Sequence, residues 1–142
     1  SNGTNPDMLS RCLPYQTYVS LPAPDKETYL SICRPAADYW DQICRSLTLL
    51  SSRRSAVRVT LVRGLNDHSP EKYAALFEKS DARYIEIKGY MYLGYSRKRL
   101  SREHMPAHAY IKEFAERIAE YGNYRITNEN APSRVVLMEN TA

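Results

Sequence analysis

Three short strand-like segments separated by amphipathic helical patterns limit the folds that this sequence can adopt. Residues 16–21, 56–62 and 84–88 alternate in the manner of strands, and the stretches between them repeat apolar residues at helical spacing. Strands separated by helices at this spacing are parallel and are joined by right-handed crossovers. The sequence therefore predicts an α/β fold, in which ligands gather at the carboxyl ends of the strands.

Capping residues and apolar stripes mark the helices. Thr4 or Asn5 before Pro6, Asp25, and Ser69 before Pro70 each have the side chain that favours a helix start. The predicted helices begin near residues 5, 25, 36, 69 and 106, and the one at 36–51 has the widest apolar stripe. Two further strand candidates, 124–127 and 134–138, complete the prediction.

Composition narrows the class of protein. A length of 142 residues, 43% hydrophobic and 25% charged, predicts a single soluble domain spanning 1–142, with a mild net charge of +4. We expect a cytoplasmic location and no membrane contact, because no apolar run has the length of a bilayer span and no signal peptide is recognisable. Three widely spaced cysteines predict neither a disulfide framework nor a metal site, and His104 and His108 are expected to be surface histidines.

A loop rich in tyrosine and arginine follows the strand at 84–88, over about 89–105. It contains three tyrosines and four cations: Tyr90, Tyr92, Tyr95, Arg97, Lys98, Arg99 and Arg102. Aromatic faces beside guanidinium groups suit unstacked RNA bases and their phosphates, so these residues are predicted to bind RNA. Two alternatives remain open: an ordinary solvated basic loop, and a packing role in which Tyr90 covers the end of the fold.

Polar residues and glycines stand at four predicted strand ends. Asn2 precedes Gly3, Ser20 closes the segment at 16–21, Arg63 follows the strand at 56–62, and Lys88 ends the third segment. Such residues on one rim are typical of a ligand site, although they do not identify the chemistry. Alternation also places Glu86 and Lys88 on one face, so Lys88 could instead simply pair with that carboxylate or with another acid.

A series of motifs runs in order through nearly the whole chain. They are Tyr-Val-Ser-Leu-x-Ala-Pro-Asp (18–25), Arg-Pro (34–35) before Asp-Tyr-Trp (38–40), Thr-Leu-Val-Arg-Gly-x-Asn (60–66), Ile-Glu-Ile-Lys-Gly-Tyr-Met (85–91), Ser-Arg-Lys-Arg-Leu (96–100), Met-Pro-x-His (105–108) and Ser-Arg-Val-Val-Leu (133–137). The chain thereby resembles the archaeal wybutosine-synthesising radical S-adenosylmethionine enzymes, the 4-demethylwyosine synthases.

The resemblance implies a fold and an activity. It implies the C-terminal half of an incomplete (β/α)6 radical-SAM barrel, with parallel strands and flanking helices. The enzyme would form 4-demethylwyosine from N1-methylguanosine of phenylalanine tRNA and pyruvate, with S-adenosylmethionine and 4Fe-4S clusters as cofactors. Asn2, Ser20, Arg63 and Lys88 would line the wall of the cofactor site, and no residue of this chain is expected to be catalytic.

Departures from the family pattern define the alternatives. The cluster-binding cysteine motif of the family has no counterpart among these residues, so the chain alone is expected to be inactive and to hold no cluster ligands. Pro22 stands where the family usually has Asp, and Arg63 stands where Lys is frequent. The alternative hypothesis is an autonomous, non-catalytic RNA-binding α/β module that retains the loop at about 89–105.

Overall fold

A mixed five-stranded sheet with a layer of helices forms the protein in the computed structural model, which describes residues 1–142. The strands are β1 (Thr17–Ser20), β2 (Ser55–Leu61), β3 (Tyr84–Gly89), β4 (Tyr124–Asn130) and β5 (Val135–Asn140). The helices are α1 (Pro6–Arg11), α2 (Lys26–Cys33), α3 (Trp40–Thr48), α4 (Pro70–Ser80) and α5 (His108–Ala119), with short 3-10 turns at Gly94–Lys98 and Arg102–His104. None of these helices has the length and apolar character needed to cross a bilayer.

The strand directions confirm the predicted α/β class and correct one part of it. Strand β2 pairs in parallel with β1 and with β3, as the crossover argument predicts. Strand β5, however, inserts between β3 and β4 and pairs antiparallel with both, giving the order β1-β2-β3-β5-β4. The prediction of parallel strands is therefore wrong for the last two. Only residues 131–134 separate them, and a connection this short forms a hairpin rather than a crossover.

Local caps set two of the helix starts as predicted. The Asn5 side chain accepts a hydrogen bond from the Met8 amide at 3.0 Å, and Asp25 accepts one from the Thr28 amide at 2.9 Å. Ser69 departs from the prediction, because its hydroxyl contacts His68 Nδ1 at 2.9 Å and makes no capping hydrogen bond. Pro70 nevertheless begins α4.

Helix α3 begins at Trp40, four residues later than the predicted start at 36. The Asp38 carboxylate accepts a hydrogen bond from the Trp40 amide at 3.0 Å and pairs with Lys26 of α2 at 2.6 Å. Both contacts hold the segment before Trp40 outside the helix. A side-chain hydrogen bond of this kind competes with helical backbone bonding, which an apolar stripe does not reveal.

The core lies on one face of the sheet only. Val19, Val57, Val59, Ile85 and Ile87 are fully buried against the helices, which contact one another side by side in a single layer. On the opposite face the strands present exposed or half-buried polar side chains, and no helix covers them. Parallel strands are normally covered on both faces. The uncovered polar face is therefore a surface on which a ligand can bind.

Candidate functional site

A cavity of about 420 Å³ opens at the carboxyl end of β1. It is lined by Asn2, Thr4, Ser20, Pro22, Tyr29, Cys33, Pro35, Tyr39 and Ile43. The Ser1 amine donates a hydrogen bond to the Tyr18 carbonyl at 2.8 Å, and the Ser20 amide donates one to the Ser1 carbonyl at 2.9 Å. These bonds hold the first residues of the chain alongside β1. Two of the predicted site residues, Asn2 and Ser20, therefore meet in one cavity.

The turn that carries Asn2 is tightly fixed. Gly3 has a φ of +72°, and a Cβ atom there would lie 3.2 Å from Val19 Cγ1, so glycine suits both the conformation and the space. Ser46 of α3 donates a hydrogen bond to the Gly3 carbonyl at 2.7 Å. The Asn2 Oδ1 atom accepts hydrogen bonds from the Thr4 amide at 3.1 Å and the Thr4 hydroxyl at 2.9 Å. The amide nitrogen of the Asn2 side chain is left as the group that can donate to a ligand.

Asn66 supports this site through Pro22 of the cavity wall, a role that the sequence argument missed. Its side chain is 1% exposed, donates hydrogen bonds to the carbonyls of Pro22 at 3.0 Å and Thr60 at 2.8 Å, and accepts one from the Val62 amide at 2.7 Å. It joins the carboxyl ends of β1 and β2 directly beneath the cavity wall. Asn66 ends the motif at 60–66, but an asparagine in the turn after β2 is also the usual residue of an ordinary turn.

Lys88 lies in a different place, in a cleft of about 470 Å³ on the uncovered face of the sheet. The cleft is lined by Arg58, Glu86, Lys88, Asn128, Glu129, Asn130, Ser133, Val135 and Leu137. Glu86 pairs with Arg58 at 2.7 Å and accepts a hydrogen bond from the Tyr18 hydroxyl at 3.2 Å. Burial and the Glu86 charge raise the pKa of Tyr18.

Lys88 itself has no ion-pair partner. The carboxylate beside it is taken by Arg58, and the six ion pairs of the structure do not include this lysine. The alternative in which Lys88 simply neutralises Glu86 or another acid is therefore wrong. An unpaired ammonium in a cleft remains available to an anionic group.

Arg63 points away from both spaces. Its guanidinium lies over the Tyr110 ring of α5, 5.2 Å from the centroid, and its amide donates a hydrogen bond to the His104 carbonyl at 2.9 Å. The Tyr110 hydroxyl in turn donates to Asp67, a contact that raises the pKa of Tyr110. The structure thus brings together Asn2 and Ser20, places Lys88 in a neighbouring cleft, and separates Arg63 from all three.

The tyrosines of the loop at 89–105 fall into two groups. Tyr90 is 6% exposed, and its hydroxyl lies 2.9 Å from Ser96 Oγ, so this ring covers the end of the fold as the packing alternative expects. Tyr92 is half-buried, and the guanidiniums of Arg97 and Arg102 lie over its ring at 5.4 Å and 5.6 Å. Tyr95 is 84% exposed, with Lys98 Nζ 4.5 Å from its ring centroid. Tyr92 and Tyr95 are therefore the tyrosines of the loop with surface accessible to a base.

Comparison with known proteins gives the family. Residues 79–140 match the family model for wyosine base formation. The chain is 47% identical over 147 aligned residues to the S-adenosyl-L-methionine-dependent tRNA 4-demethylwyosine synthase of Pyrococcus horikoshii, an alignment covering 97% of this chain and 43% of that protein. The corresponding protein of Methanocaldococcus jannaschii is 38% identical, with 99% and 45% covered. The chain belongs to the tRNA 4-demethylwyosine synthase family.

Solved structures of the family share the fold. A structure of TYW1 with a lysine-pyruvate adduct bound matches with a TM-score of 0.90 and 35% identity, over 99% of this chain and 46% of that one. A crystal structure of archaeal TYW1 matches with a TM-score of 0.81 and 31% identity, over 99% and 44%. The chain spans less than half the length of the relatives that it matches.

The residues of this chain do not form a site for the iron–sulfur clusters that the family resemblance implies. No group of three or more His, Cys, Asp or Glu side chains converges on a point that could hold a metal ion. Cys12 and Cys33 are exposed at the ends of α1 and α2, whereas Cys44 is half-buried within α3. Cluster binding requires several thiolates around one cluster, so the residues of this chain do not fit a cluster.

Proposed function

We propose that this chain is part of an enzyme that forms 4-demethylwyosine in phenylalanine tRNA, from N1-methylguanosine and pyruvate. The observation that carries the proposal is the 47% identity to a tRNA 4-demethylwyosine synthase over 97% of this chain. The cavity at Ser20 and the unpaired ammonium of Lys88 supply sites for small anionic and hydroxylated ligands. A related structure described as holding a lysine-pyruvate adduct supports pyruvate as the small substrate.

The chain would be a single domain that completes the C-terminal half of an incomplete (β/α)6 barrel. Two features support this arrangement: β1–β3 are parallel, and the helices form one layer on one side of them. The uncovered face bearing Arg58, Glu86 and Lys88 would then face the interior of the barrel. Barrel closure would cover a surface that is unusually polar and open for a parallel sheet.

S-adenosylmethionine would occupy the cavity at the end of β1. The cavity volume of about 420 Å³ lies in the range of small-molecule sites, and its wall combines aromatic and aliphatic groups with polar ends. The Asn2 amide and the Ser20 hydroxyl would hold ribose or carboxylate groups, and Lys88, in its separate cleft, would pair with a carboxylate that extends there from the cofactor or with that of pyruvate. The cofactor, when bound, supplies the radical that starts the reaction. Arg63 would join this site only by leaving the Tyr110 ring.

The loop at 89–105 would contact the tRNA. Its four cations and the accessible rings of Tyr92 and Tyr95 provide both a charge for phosphates and faces for bases. A base undergoing ring chemistry must leave its stack, and an exposed aromatic face at the carboxyl end of β3 would receive it. Tyr90 is excluded from stacking by its burial.

A chimera tests the proposal. The chain replaces the matching segment of the Pyrococcus horikoshii synthase, and nucleosides from the treated tRNA are identified by mass spectrometry after an anaerobic reaction. We expect 4-demethylwyosine with the intact chimera and at least a tenfold lower rate after Ser20→Ala. Arg11→Gln, on the exposed end of α1, is the matched control and should leave the rate unchanged. A folded chimera that binds tRNA without forming product would favour the non-catalytic RNA-binding module instead.

A further inference from the structure

A third cavity, of about 350 Å³, lies between the C-terminal end of α2 and the loop at 89–105. Its polar wall consists of Ser31, Arg34, Tyr90, Ser96, Arg99 and His104, and the remaining lining residues are Ile32, Leu65 and Leu100. No lining residue is acidic. The cavity is separate from the spaces that contain Ser20 and Lys88.

Two guanidinium charges share this cavity without a neutralising partner. None of the six ion pairs of the structure involves Arg34 or Arg99. Arginine remains protonated at any physiological pH, so both charges are permanent. Like charges on one wall raise the potential of the cavity and favour an anion there.

One hydrogen bond orients Arg99, and the backbone places Arg34 at the C-terminal end of α2. Arg99 donates a hydrogen bond to the Ile32 carbonyl at 2.6 Å, near the C-terminal end of α2, and keeps its remaining N–H groups for another acceptor. Arg34 is the C-cap of α2 and has a φ of +44°, in the left-handed region where glycine is usually preferred. A strained non-glycine residue beside a cavity is a reason to consider a function for its side chain.

His104 adds a neutral donor. Its Nδ1 atom accepts a hydrogen bond from the Ser101 amide at 2.9 Å, so the proton of the neutral ring is carried by Nε2. The Ser31 hydroxyl is a further donor, whereas Ser96 donates to the Leu93 carbonyl at 2.5 Å and the Tyr90 hydroxyl lies 2.9 Å from Ser96 Oγ. Two guanidiniums and a neutral donor together can bind both non-bridging oxygens of a phosphate in an RNA backbone. The negative end of the α2 dipole opposes an anion, but it amounts to about half a charge against two full positive charges.

We propose that this cavity binds one backbone phosphate of the RNA substrate, with Arg34 and Arg99 on the same phosphate. The inference rests on the proposed function for the nature of the ligand. The cavity adjoins the loop that carries the exposed Tyr95 ring, so a strand stacked there would pass over the opening. Arg97 and Arg102, which lie over Tyr92, would contact RNA less directly.

The test measures binding of a fluorescent single-stranded RNA to the 142-residue chain over a range of salt concentrations. Arg34→Asn keeps a residue that tolerates positive φ, and Arg99→Gln keeps a donor for the Ile32 carbonyl. We expect each single variant to weaken RNA binding about tenfold, and the double variant to lose less than the product of the two factors. In the double variant, the slope of the logarithm of affinity against the logarithm of salt concentration should fall by about 0.7, the value for one phosphate on a single strand. Arg11→Gln is the matched control and should change neither quantity.

The outcomes separate this inference from the proposed function. Inorganic phosphate that binds wild type but not the double variant, together with unchanged RNA affinity, would show a site for a free anion and overturn the assignment to RNA. Unchanged binding of both ligands in folded variants would also overturn it. If the chimera is active while the double variant keeps its RNA affinity, the inference fails and the function stands. If the double variant loses RNA affinity while the chimera is inactive, the inference stands and the proposed function fails.

Discussion

At the scale of single residues, buried hydrogen bonds matter more than exposed charges. Asn66 makes three hydrogen bonds with its side chain and is 1% exposed, whereas most of the cations of this chain lie at the surface. Removing a partner leaves buried backbone groups unpaired, and each unpaired group costs about 1–3 kcal/mol. Asn66 therefore determines how the ends of β1 and β2 are held together.

The first prediction concerns that side chain. Asn66→Ala should lower the free energy of unfolding by about 3 kcal/mol, because the Val62 amide and the Pro22 and Thr60 carbonyls lose their partner. Urea denaturation followed by circular dichroism measures the change. Asn123→Ala, at an exposed position, is the control and should change stability by less than about 0.5 kcal/mol. Equal effects of the two substitutions would contradict the role assigned to Asn66.

A second prediction follows from the contacts of Glu129. His108 Nε2 lies 2.7 Å from one carboxylate oxygen and Lys112 Nζ 2.9 Å from the other, and these bonds, that of His108 first, hold the pKa of Glu129 below its ordinary value of 4.5. A carboxylate with a lowered folded-state pKa stabilises the fold above its unfolded pKa, and this contribution is lost as the pH falls through the lowered value.

The expected result is a pH-dependent difference between wild type and Glu129→Gln. The variant should be less stable at neutral pH, and the difference should shrink as the pH falls below 4.5. Denaturation with urea at a series of pH values measures it. Glu113→Gln removes an exposed carboxylate of α5, the helix that carries His108 and Lys112. Glu113 forms no ion pair, so this variant should show no such trend. A stability difference between wild type and Glu129→Gln that stays constant with pH would show that the ionisation of Glu129 is not linked to stability.

At the scale of elements, the approach of α5 to the sheet depends on one glycine. A Cβ atom at Gly89 would lie 2.7 Å from Ile111 Cδ1 and 3.3 Å from Pro106 Cγ. The backbone cannot shift freely, because the Gly89 amide donates a hydrogen bond to the Arg134 carbonyl at 2.9 Å. The residue at this position therefore sets how closely the helix packs.

The third prediction uses this contact. Gly89→Ala should lower stability by about 2 kcal/mol through overpacking, and Ile111→Val, which removes the Cδ1 atom, should cost about 1 kcal/mol by itself. The double variant should lose clearly less than the sum, because the shorter side chain makes room for the new methyl group. A double-mutant cycle in urea measures the coupling. Strict additivity would show that this contact does not limit the packing of α5.

Sequence patterns predicted the elements whose causes are local. The caps at Asn5 and Asp25 are formed by residues three positions apart, and a residue pattern contains that information. The turn before α3 is tied by Asp38 to the Trp40 amide and to Lys26 of another helix, and the pairing of β5 with β3 depends on strands that are distant in the sequence. The sequence predicted that the third strand ends at Lys88, next to Gly89, but the contact of Gly89 with α5 is tertiary.

The residues of the candidate site also separate into those whose positions could be predicted from local sequence and those placed by tertiary contacts. Asn2 and Ser20 were predicted from strand ends, and their proximity follows from backbone hydrogen bonds that parallel pairing requires. Arg63 and Tyr90 also follow strands, but the directions of their side chains are decided by the Tyr110 ring and by Ser96. The cavity between Arg34 and Arg99 joins residues 65 positions apart, and no spacing rule brings such residues together.

At the scale of the whole molecule, the cysteines make a fourth prediction. Anaerobic reconstitution of the 142-residue chain with iron and sulfide, followed by desalting, should leave no charge-transfer absorbance, because no three side chains of suitable type converge. The triple change Cys12→Ser, Cys33→Ser and Cys44→Ser is the control for adventitious iron and should give the same spectrum. Stoichiometric iron and sulfide in wild type alone would contradict the prediction.

The position of β5 inside the sheet also has a consequence for biosynthesis. Strand β4 contacts the sheet through β5, so residues 124–130 have no strand to pair with until residues 135–140 have been made. On the ribosome, a chain that grows by about 5–20 residues each second would expose the edge of β3 until β5 leaves the exit tunnel. An open strand edge invites pairing with other chains. Cotranslational chaperones would therefore protect the edge of β3 most during the interval before β5 has been made and closes the gap.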